Sequence, residues 1–349
     1  MRPLTRACAA AALLVAPGCT LPYLNQQAIG QLRLLGARRP VGEVLADPAT
    51  PEETRETLRR IADVKAWGER ELGLARTGSY EDWVDTGGEP VSWLLTACPP
   101  DSLEPRTWWF PVVGRVPYLG FFRLEDARAE AERQERAGYE VWVRPVLAYS
   151  MLGIVSDPIF SCFAEGEIHD VANTVLHETT HATVWIPGSV AFNESLADFV
   201  GRRGARRWMI ERFGEDSREV ARARESAEER ELFQRLLLEG RDELAGVFAL
   251  DLKSWEKRAL RDAVIVRQKA RYREAAAGFH SERYRRYHER DWNTAMFAGF
   301  AVYHGDEGLW EALLAASGGD LRAFLLAVKA AAKEPDPRAA VERMARTGK

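Results

Sequence analysis

Two histidines and a glutamate stand within five positions of one another, in His177-Glu178-Thr179-Thr180-His181. On a helix, residues i and i+4 share a face, so both imidazoles can reach one metal ion. Glu178 follows the first histidine and is placed to take a proton from an attacking water. The chemistry that suits this set is metal-assisted hydrolysis. Zinc is the metal expected, because it takes imidazole nitrogen readily and keeps an open position when catalytic. The flanking residues Val171, Val175, Leu176, Ala182 and Val184 are apolar. A buried helix that presents polar groups on one side needs such a frame.

A catalytic zinc also needs a third protein ligand. The stretch Asn193-Glu194-Ser195-Leu196-Ala197-Asp198 supplies a candidate after a short Pro187-Gly188 turn. Asn193 is expected to cap a second helix, with Glu194 in its first turn and Asp198 one turn later on the same face. A return of this kind brings Glu194 back to the two histidines. Asp198 is then in reach of a ligating ring, whose tautomer it would fix by accepting a hydrogen bond. Two histidines with a downstream glutamate resemble the ligand set of the gluzincin peptidases.

Further landmarks make the resemblance specific. They include Tyr23-Leu24 with Gly30-Gln31, Trp109-Phe110-Pro111-Val112-Val113-Gly114 and Pro117-Tyr118-Leu119-Gly120-Phe121-Phe122. Ala148-Tyr149-Ser150-Met151-Leu152-Gly153, Asp157-Pro158 and Ala191-Phe192-Asn193-Glu194-Ser195 follow. Asn293-Thr294-Ala295, Tyr303, Gly318-Gly319-Asp320-Leu321 and Phe324 complete the series. In this order they resemble the bacterial family of putative aminopeptidases, exported zinc peptidases with the His-Glu-x-x-His motif. The resemblance implies peptide substrates, one zinc ion held by His177, His181 and Glu194, and Glu178 as general base. Three features depart from it. Trp109 and Arg115 stand where the family often has cysteines, Thr179-Thr180-His181-Ala182 replaces Leu-Ala-His-Gln, and Asp198 replaces a threonine.

Amide hydrolysis also needs a donor to the developing oxyanion. Tyr303, on an apolar helical stretch, is the candidate, with His304 beside it. Tyr149 is a candidate for lining the cleft, and a core aromatic otherwise. No motif fixes a group for a free amino terminus; Asp157, Glu165 and Glu167 are the acidic possibilities. Two other functions stay open, a lipid-anchored zinc-binding scaffold without catalysis and a zinc hydrolase of non-peptide amides in the cell envelope. The remaining histidines His169, His280 and His288 read as surface residues.

The elements that position these groups can be outlined. Thr50-Pro51-Glu52-Glu53 reads as a helix start with a capping box, followed by Leu58, Ile61, Val64 and Trp67 at helical spacing. Between residues 80 and 160, Gly and Pro punctuate short strands such as Val91–Leu95, Trp108–Val113 and Tyr139–Val143, with a charged helix between Leu124 and Gly138. Helices are expected over 168–185 and 193–213, and nearly throughout after 217. The fold class is α+β, predominantly α-helical and zincin-like, with a small mixed sheet and a helical C-terminal lobe. The expected organisation is 19–160 as an N-terminal α+β part, 161–215 as catalytic helices and 216–349 as a helical C-terminal part.

The chain has 349 residues, 46% hydrophobic and 29% charged, with a net charge of -4. That balance excludes a strongly basic nucleic-acid-binding surface as the main design. Arg2 and Arg6 precede an apolar run from Ala7 to Val15 and then Ala16-Pro17-Gly18-Cys19. This reads as an export signal over 1–18, too short to span a membrane. A small residue before a cysteine resembles a bacterial lipobox, which implies a lipid on Cys19 and a protein anchored to the envelope, facing the periplasm. Beyond Cys8 and Cys19 there are Cys98 and Cys162, which either pair or remain as two buried thiols.

Overall fold

The computed structural model describes residues 20–110, 114–149, 156–304 and 307–347, excepting the side chains of 20–22, 283, 301–304 and 347. Cys19 and the segment before it therefore lie outside the described residues, as do 150–155 and the side chains of Tyr303 and His304. The chain is mainly helical, with small sheets.

Helix α1 spans Thr20–Gly36 and α2 spans Glu52–Trp67. The apolar series in α2 is buried as its spacing implies, with Leu58, Ile61, Val64 and Trp67 in the core. Its expected capping box does not form. Pro51 occupies the cap position without a side-chain bond, and the Thr50 hydroxyl donates instead to the Val44 carbonyl at 2.8 Å. Glu52 and Glu53 still place negative charge at the positive end of the helix.

The strands are β1 (Arg39–Pro40), β2 (Asp82–Val84), β3 (Ser92–Cys98), β4 (Trp108–Phe110), β5 (Gly114–Val116), β6 (Leu119–Phe121), β7 (Glu140–Val146) and β8 (Ile159–Phe160), with α3 (Leu124–Arg136) between β6 and β7. They form one sheet in the order β1-β2-β8, a second in the order β6-β3-β7, and the hairpin β4-β5. So the expected single mixed sheet is divided. Among the described residues only β2 and β8 pair in parallel; β3 is antiparallel to both its neighbours. The Tyr139–Val143 strand is present as β7 and runs three residues further, to Val146.

The helices that follow are α4 (Ile168–Thr183), α5 (Val190–Phe213), α6 (Arg218–Phe248), α7 (Ser254–Ala275), α8 (Thr294–His304), α9 (Glu307–Ala316), α10 (Leu321–Ala331) and α11 (Pro337–Thr347). Successive residues of β3 point to opposite faces. Leu95 and Ala97 join Ala127 and Ala131 of α3, while Cys98 joins Ala295 and Ala298 of α8. The sheet is thus sandwiched between α3 and α8. Gly299 permits the second contact, because a Cβ there would lie 2.9 Å from Cε3 of Trp142. Asn293 and Thr294 tie the start of α8 to β7. Asn293 donates to the Val141 carbonyl at 2.8 Å, and the Thr294 hydroxyl to Glu140 at 2.6 Å.

The main core gathers α2, α4, α5 and the terminal helices α9 to α11 around Leu176, Phe199, Trp310 and Phe324. A separate aromatic cluster, with Phe233, Tyr272 and Trp292, holds α6 and α7 together. Both described cysteines are free. Cys98 donates to the Ser102 carbonyl, and burial pushes its thiol up to about 12; Cys162 donates to the Leu147 carbonyl.

Candidate metal centre

Helix α4 buries Val171, Ala172, Val175, Leu176, Thr179 and Thr180. Its other side carries His177 and His181. Helix α5 packs tightly along it because two of its glycines leave room. A Cβ on Gly201 would lie 2.5 Å from Oδ1 of Asn173, 2.9 Å from the Asn173 carbonyl oxygen and 3.3 Å from Cβ of His177. On Gly204 it would lie 2.8 Å from Cδ1 of Leu176. Any larger residue would separate the two helices and draw Glu194 away from the rings.

The turn between them is fastened by Asn193. Its side chain accepts from the Ile186 N–H at 2.9 Å and donates to the Ile186 carbonyl at 2.8 Å. The expected role of Asn193 as a helix cap is corrected here. Helix α5 starts at Val190, so Asn193 lies inside it and Glu194 falls in the second turn. The amide closes the loop rather than the helix end.

Nε2 of His177 and Nε2 of His181 are 3.1 Å apart. Oε2 of Glu194 lies 3.5 Å from the first and 3.6 Å from the second. The three are the described group whose ligand atoms converge for a metal ion. The spacing fits one. Donor bonds of about 2.0–2.1 Å in a tetrahedron give edges of roughly 3.4 Å. Two nitrogens this close share at most one proton between them, so a cation satisfies all three donors better than hydrogen bonds do. Nδ1 of His181 is buried without a partner, so the ring owes its orientation to packing, which includes an edge contact with Trp185 at 5.4 Å.

The charges respond to one another. Burial alone would lower the His177 pKa, but the Glu194 hydrogen bond and the charges of Glu178 and Asp198 raise it to about 9. Burial would raise Glu194; the two histidines more than reverse that and hold it far below the ordinary carboxylate range. Glu178 is raised, by burial first and by the charges of Glu194 and Asp157, against the pull of the histidines. A carboxylate tuned upward is a better proton acceptor near neutral pH.

These groups line a cavity of about 860 Å³ whose other walls include Gln31 of α1, Phe122, Leu147, Tyr149 and Trp185. Tyr149 therefore lines the cleft and is also a packed aromatic, stacked on Phe160 at 5.7 Å and donating to Gln31 at 2.8 Å. Asp198 lines the same cavity, and its carboxylate accepts from Nε of Arg202 at 2.9 Å. Its charge bears on His177 across the site. Arg202 also reaches Glu307, whose side chain is half exposed, so Asp198 belongs to an ion-pair chain that runs from the cavity to the surface. Tyr303 lies on α8, which packs on α5 and β7, but its side chain is outside the described residues. Asp157 is buried and bonded to Ser79, while Glu165 and Glu167 are exposed.

Of the other histidines, His280 is exposed and His288 half-buried. His169 departs from the surface expectation. Its side chain is 11% exposed, with Nε2 lacking a hydrogen-bond partner, 3.6 Å from Asp170. Trp185 is a wall residue that sequence reasoning missed. It lies beyond the end of α4, where helical spacing no longer indicates which way a side chain faces.

The helical hairpin thus presents two histidines and a glutamate whose ligand atoms could hold a metal ion, with a second glutamate beside them. The chain belongs to the putative aminopeptidase family, whose model matches residues 22–342. That span takes in every described element of the site. No curated protein matches the chain, and no solved structure does.

Proposed function

We propose that this protein is a zinc-dependent peptidase of zincin-like, gluzincin type, with His177, His181 and Glu194 holding one zinc ion and Glu178 acting as general base. The observation that carries the reading is the convergence of Nε2, Nε2 and Oε2 at 3.1, 3.5 and 3.6 Å on the wall of a cavity that also holds Glu178. When bound, zinc supplies Lewis acidity, which favours water ionisation and polarises a carbonyl oxygen. Glu178 takes the proton of the attacking water and delivers it to the leaving amine. Asp198 orients the His177 side of the ligand set through its charge and is itself fixed by Arg202. Tyr303 is the proposed donor to the oxyanion.

The family name favours removal of amino-terminal residues, so peptides with a free amino terminus are the first substrates to offer. Export through the 1–18 segment and a lipid on Cys19 would place the enzyme on the periplasmic side of the envelope. No helix among the described residues is long and apolar enough to cross a membrane. Profiling a peptide library by mass spectrometry tests the whole reading. Cleavage should need zinc, stop with a chelator and be absent from Glu178→Gln. Equal cleavage of N-acetylated peptides would turn the assignment from exopeptidase to endopeptidase. Metabolic labelling with a fatty acid, lost in Cys19→Ala, tests the anchor.

A further inference from the structure

Helix α1 turns two glutamines inward and three of its aliphatic side chains outward, against the usual sense for a helix in water. Its inner face carries Tyr23, Gln27, Gly30, Gln31 and Leu34 at helical spacing. The Tyr23 hydroxyl donates to the Gly120 carbonyl at 3.0 Å, and Gln31 accepts from the Tyr149 hydroxyl at 2.8 Å. Gly30 lies so close to the ring of Phe122 that no Cβ would fit between them. Gln27 and Gln31 stand in the wall of the cavity that holds the candidate ligands, and Nε2 of Gln27 is buried without a partner.

The outer face is apolar. Ile29 is 43% exposed, Leu32 66% and Leu35 37%, and Ala28 is exposed between them. At 3.6 residues per turn these four occupy an arc of roughly 120°. Single exposed leucines are ordinary, but a stripe of them on the one free face of a helix marks a surface that something covers.

What covers it follows from where the helix begins. Thr20, its first residue, comes directly after Cys19, the position read as lipid-bearing. Acyl chains there hold the start of α1 at the level of the lipid headgroups. At 1.5 Å per residue, Ile29 is about 15 Å and Leu35 about 24 Å along the axis from Cys19. A helix standing away from the membrane would keep this stripe in water, whereas one lying along it buries the stripe where the acyl chains begin. A further exposed group adjoins the anchored end. Phe110 packs against Tyr23 with ring centroids 6.0 Å apart, and its neighbour Trp109 is 61% exposed. An indole is amphipathic and suits a membrane interface.

We propose that α1 lies in the plane of the bilayer surface, with Ala28, Ile29, Leu32 and Leu35 sunk about 5–10 Å into the headgroup and acyl boundary. Ala28 belongs both to this stripe and to the cavity wall, so the rim of the cavity lies at the membrane surface. This inference rests on the lipid at Cys19 and does not depend on the peptidase chemistry.

The test uses the acylated full-length product, purified from membranes and placed in vesicles of phosphatidylethanolamine and phosphatidylglycerol. A fluorophore is attached at Leu32→Cys, at Ile29→Cys or, for comparison, at Leu326→Cys on α10, where the native leucine is 61% exposed. Cys162→Ser serves as background, Cys98 being buried. Brominated acyl chains should lower the emission at Leu32→Cys and Ile29→Cys by about threefold, and iodide in the water should not reach them. Leu326→Cys should behave in the opposite way. Labels on α1 that iodide quenches and brominated lipid does not would overturn the proposal, because the helix then stands in water. Labels shielded from both would also overturn it, because a second copy or another protein then covers the stripe. Absence of fatty acid from the unsubstituted protein would instead overturn the lipid anchor, and this inference with it.

Discussion

The α4–α5 pair and the α6–α7 hairpin are both antiparallel helix pairs rich in charge, and they use it in opposite ways. In the first, Glu194 and His181 have side chains only 8% and 6% exposed, and they face each other across a gap that no donor hydrogen fills well. In the second, Arg267 and Arg271 of α7 meet Glu243 of α6 at the surface, with the arginine side chains 54% and 49% exposed. The first arrangement removes charge from water, which is unfavourable unless a proton or a cation compensates. The second leaves charge hydrated and adds little to stability. Buried charge that is only partly paired marks the candidate site in this molecule; abundant surface pairs do not.

Substitution of the base should give the largest effect. Glu178→Gln keeps the shape of the side chain and leaves the three ligands in place, so zinc content should not change. Turnover should fall by about 10²–10⁴-fold, the usual contribution of a positioned general base. Steady-state rates with metal analysis on the same samples check this. Substantial residual hydrolysis would remove Glu178 from the mechanism and leave the buried pair as a metal-binding device alone.

The next effect comes from pH. In the metal-free protein the His177 contribution to stability is complete below its ordinary value of 6.5 and is lost as pH rises through about 9, because its folded pKa is raised. The Glu194 contribution is complete above its ordinary value of 4.5 and is lost only as pH falls towards its much lower folded pKa. Both are present in full between those two ordinary values. Zinc must displace the His177 proton, so its affinity should rise by up to about tenfold per pH unit from near neutrality to about pH 9 and then level. Melting temperatures with and without zinc should diverge as pH rises through this range. A zinc-induced gain that is flat with pH would mean that His177 does not bind the metal.

A third substitution tests the glycine-mediated approach. Gly201→Ala would put a methyl group against Asn173 and behind His177. Forcing atoms into so close a contact typically destabilises by about 1–3 kcal/mol. Denaturant unfolding should show that loss, and zinc affinity should fall too, because the helices that carry the ligands are moved apart. The same substitution at Gly246 of α6, where no atom lies within 4 Å, should do neither.

The contrast between the two helix pairs also explains what was legible in the sequence. His177, His181 and Glu194 could be brought together on paper because helical periodicity and a short turn nearly determine the answer. The fold class followed from the long apolar periodicities after residue 160. Local alternatives were harder to weigh. Thr50 and Asn193 both have cap-forming side chains, yet each found a better partner in backbone groups close in space, Thr50 in a carbonyl of the short helix Val41–Ala46 and Asn193 in the loop at Ile186. The division of the strands into separate sheets depends on pairings between distant segments, such as β2 with β8, which no local pattern encodes.

The smallest effect is predicted on the hairpin, and its smallness is informative. Glu243 accepts from Arg267 at 3.1 Å and from Arg271, and Gln268 donates to it at 3.2 Å. Burial would raise its pKa, yet the arginine bonds lower it, so the carboxylate is ionised at neutral pH. Removing it in Glu243→Ala breaks three hydrogen bonds, more than any site substitution above removes. The arginines remain largely in water and are rehydrated, so the loss should not exceed about 1 kcal/mol and should shrink further in high salt. Denaturant melts at low and high ionic strength check this. Activity and zinc content should be unchanged. A larger loss, unaffected by salt, would mean that Gln268, which is 1% exposed, depends on Glu243 to satisfy a buried amide. The hairpin would then resemble the α4–α5 pair in having a polar group whose burial demands a specific partner.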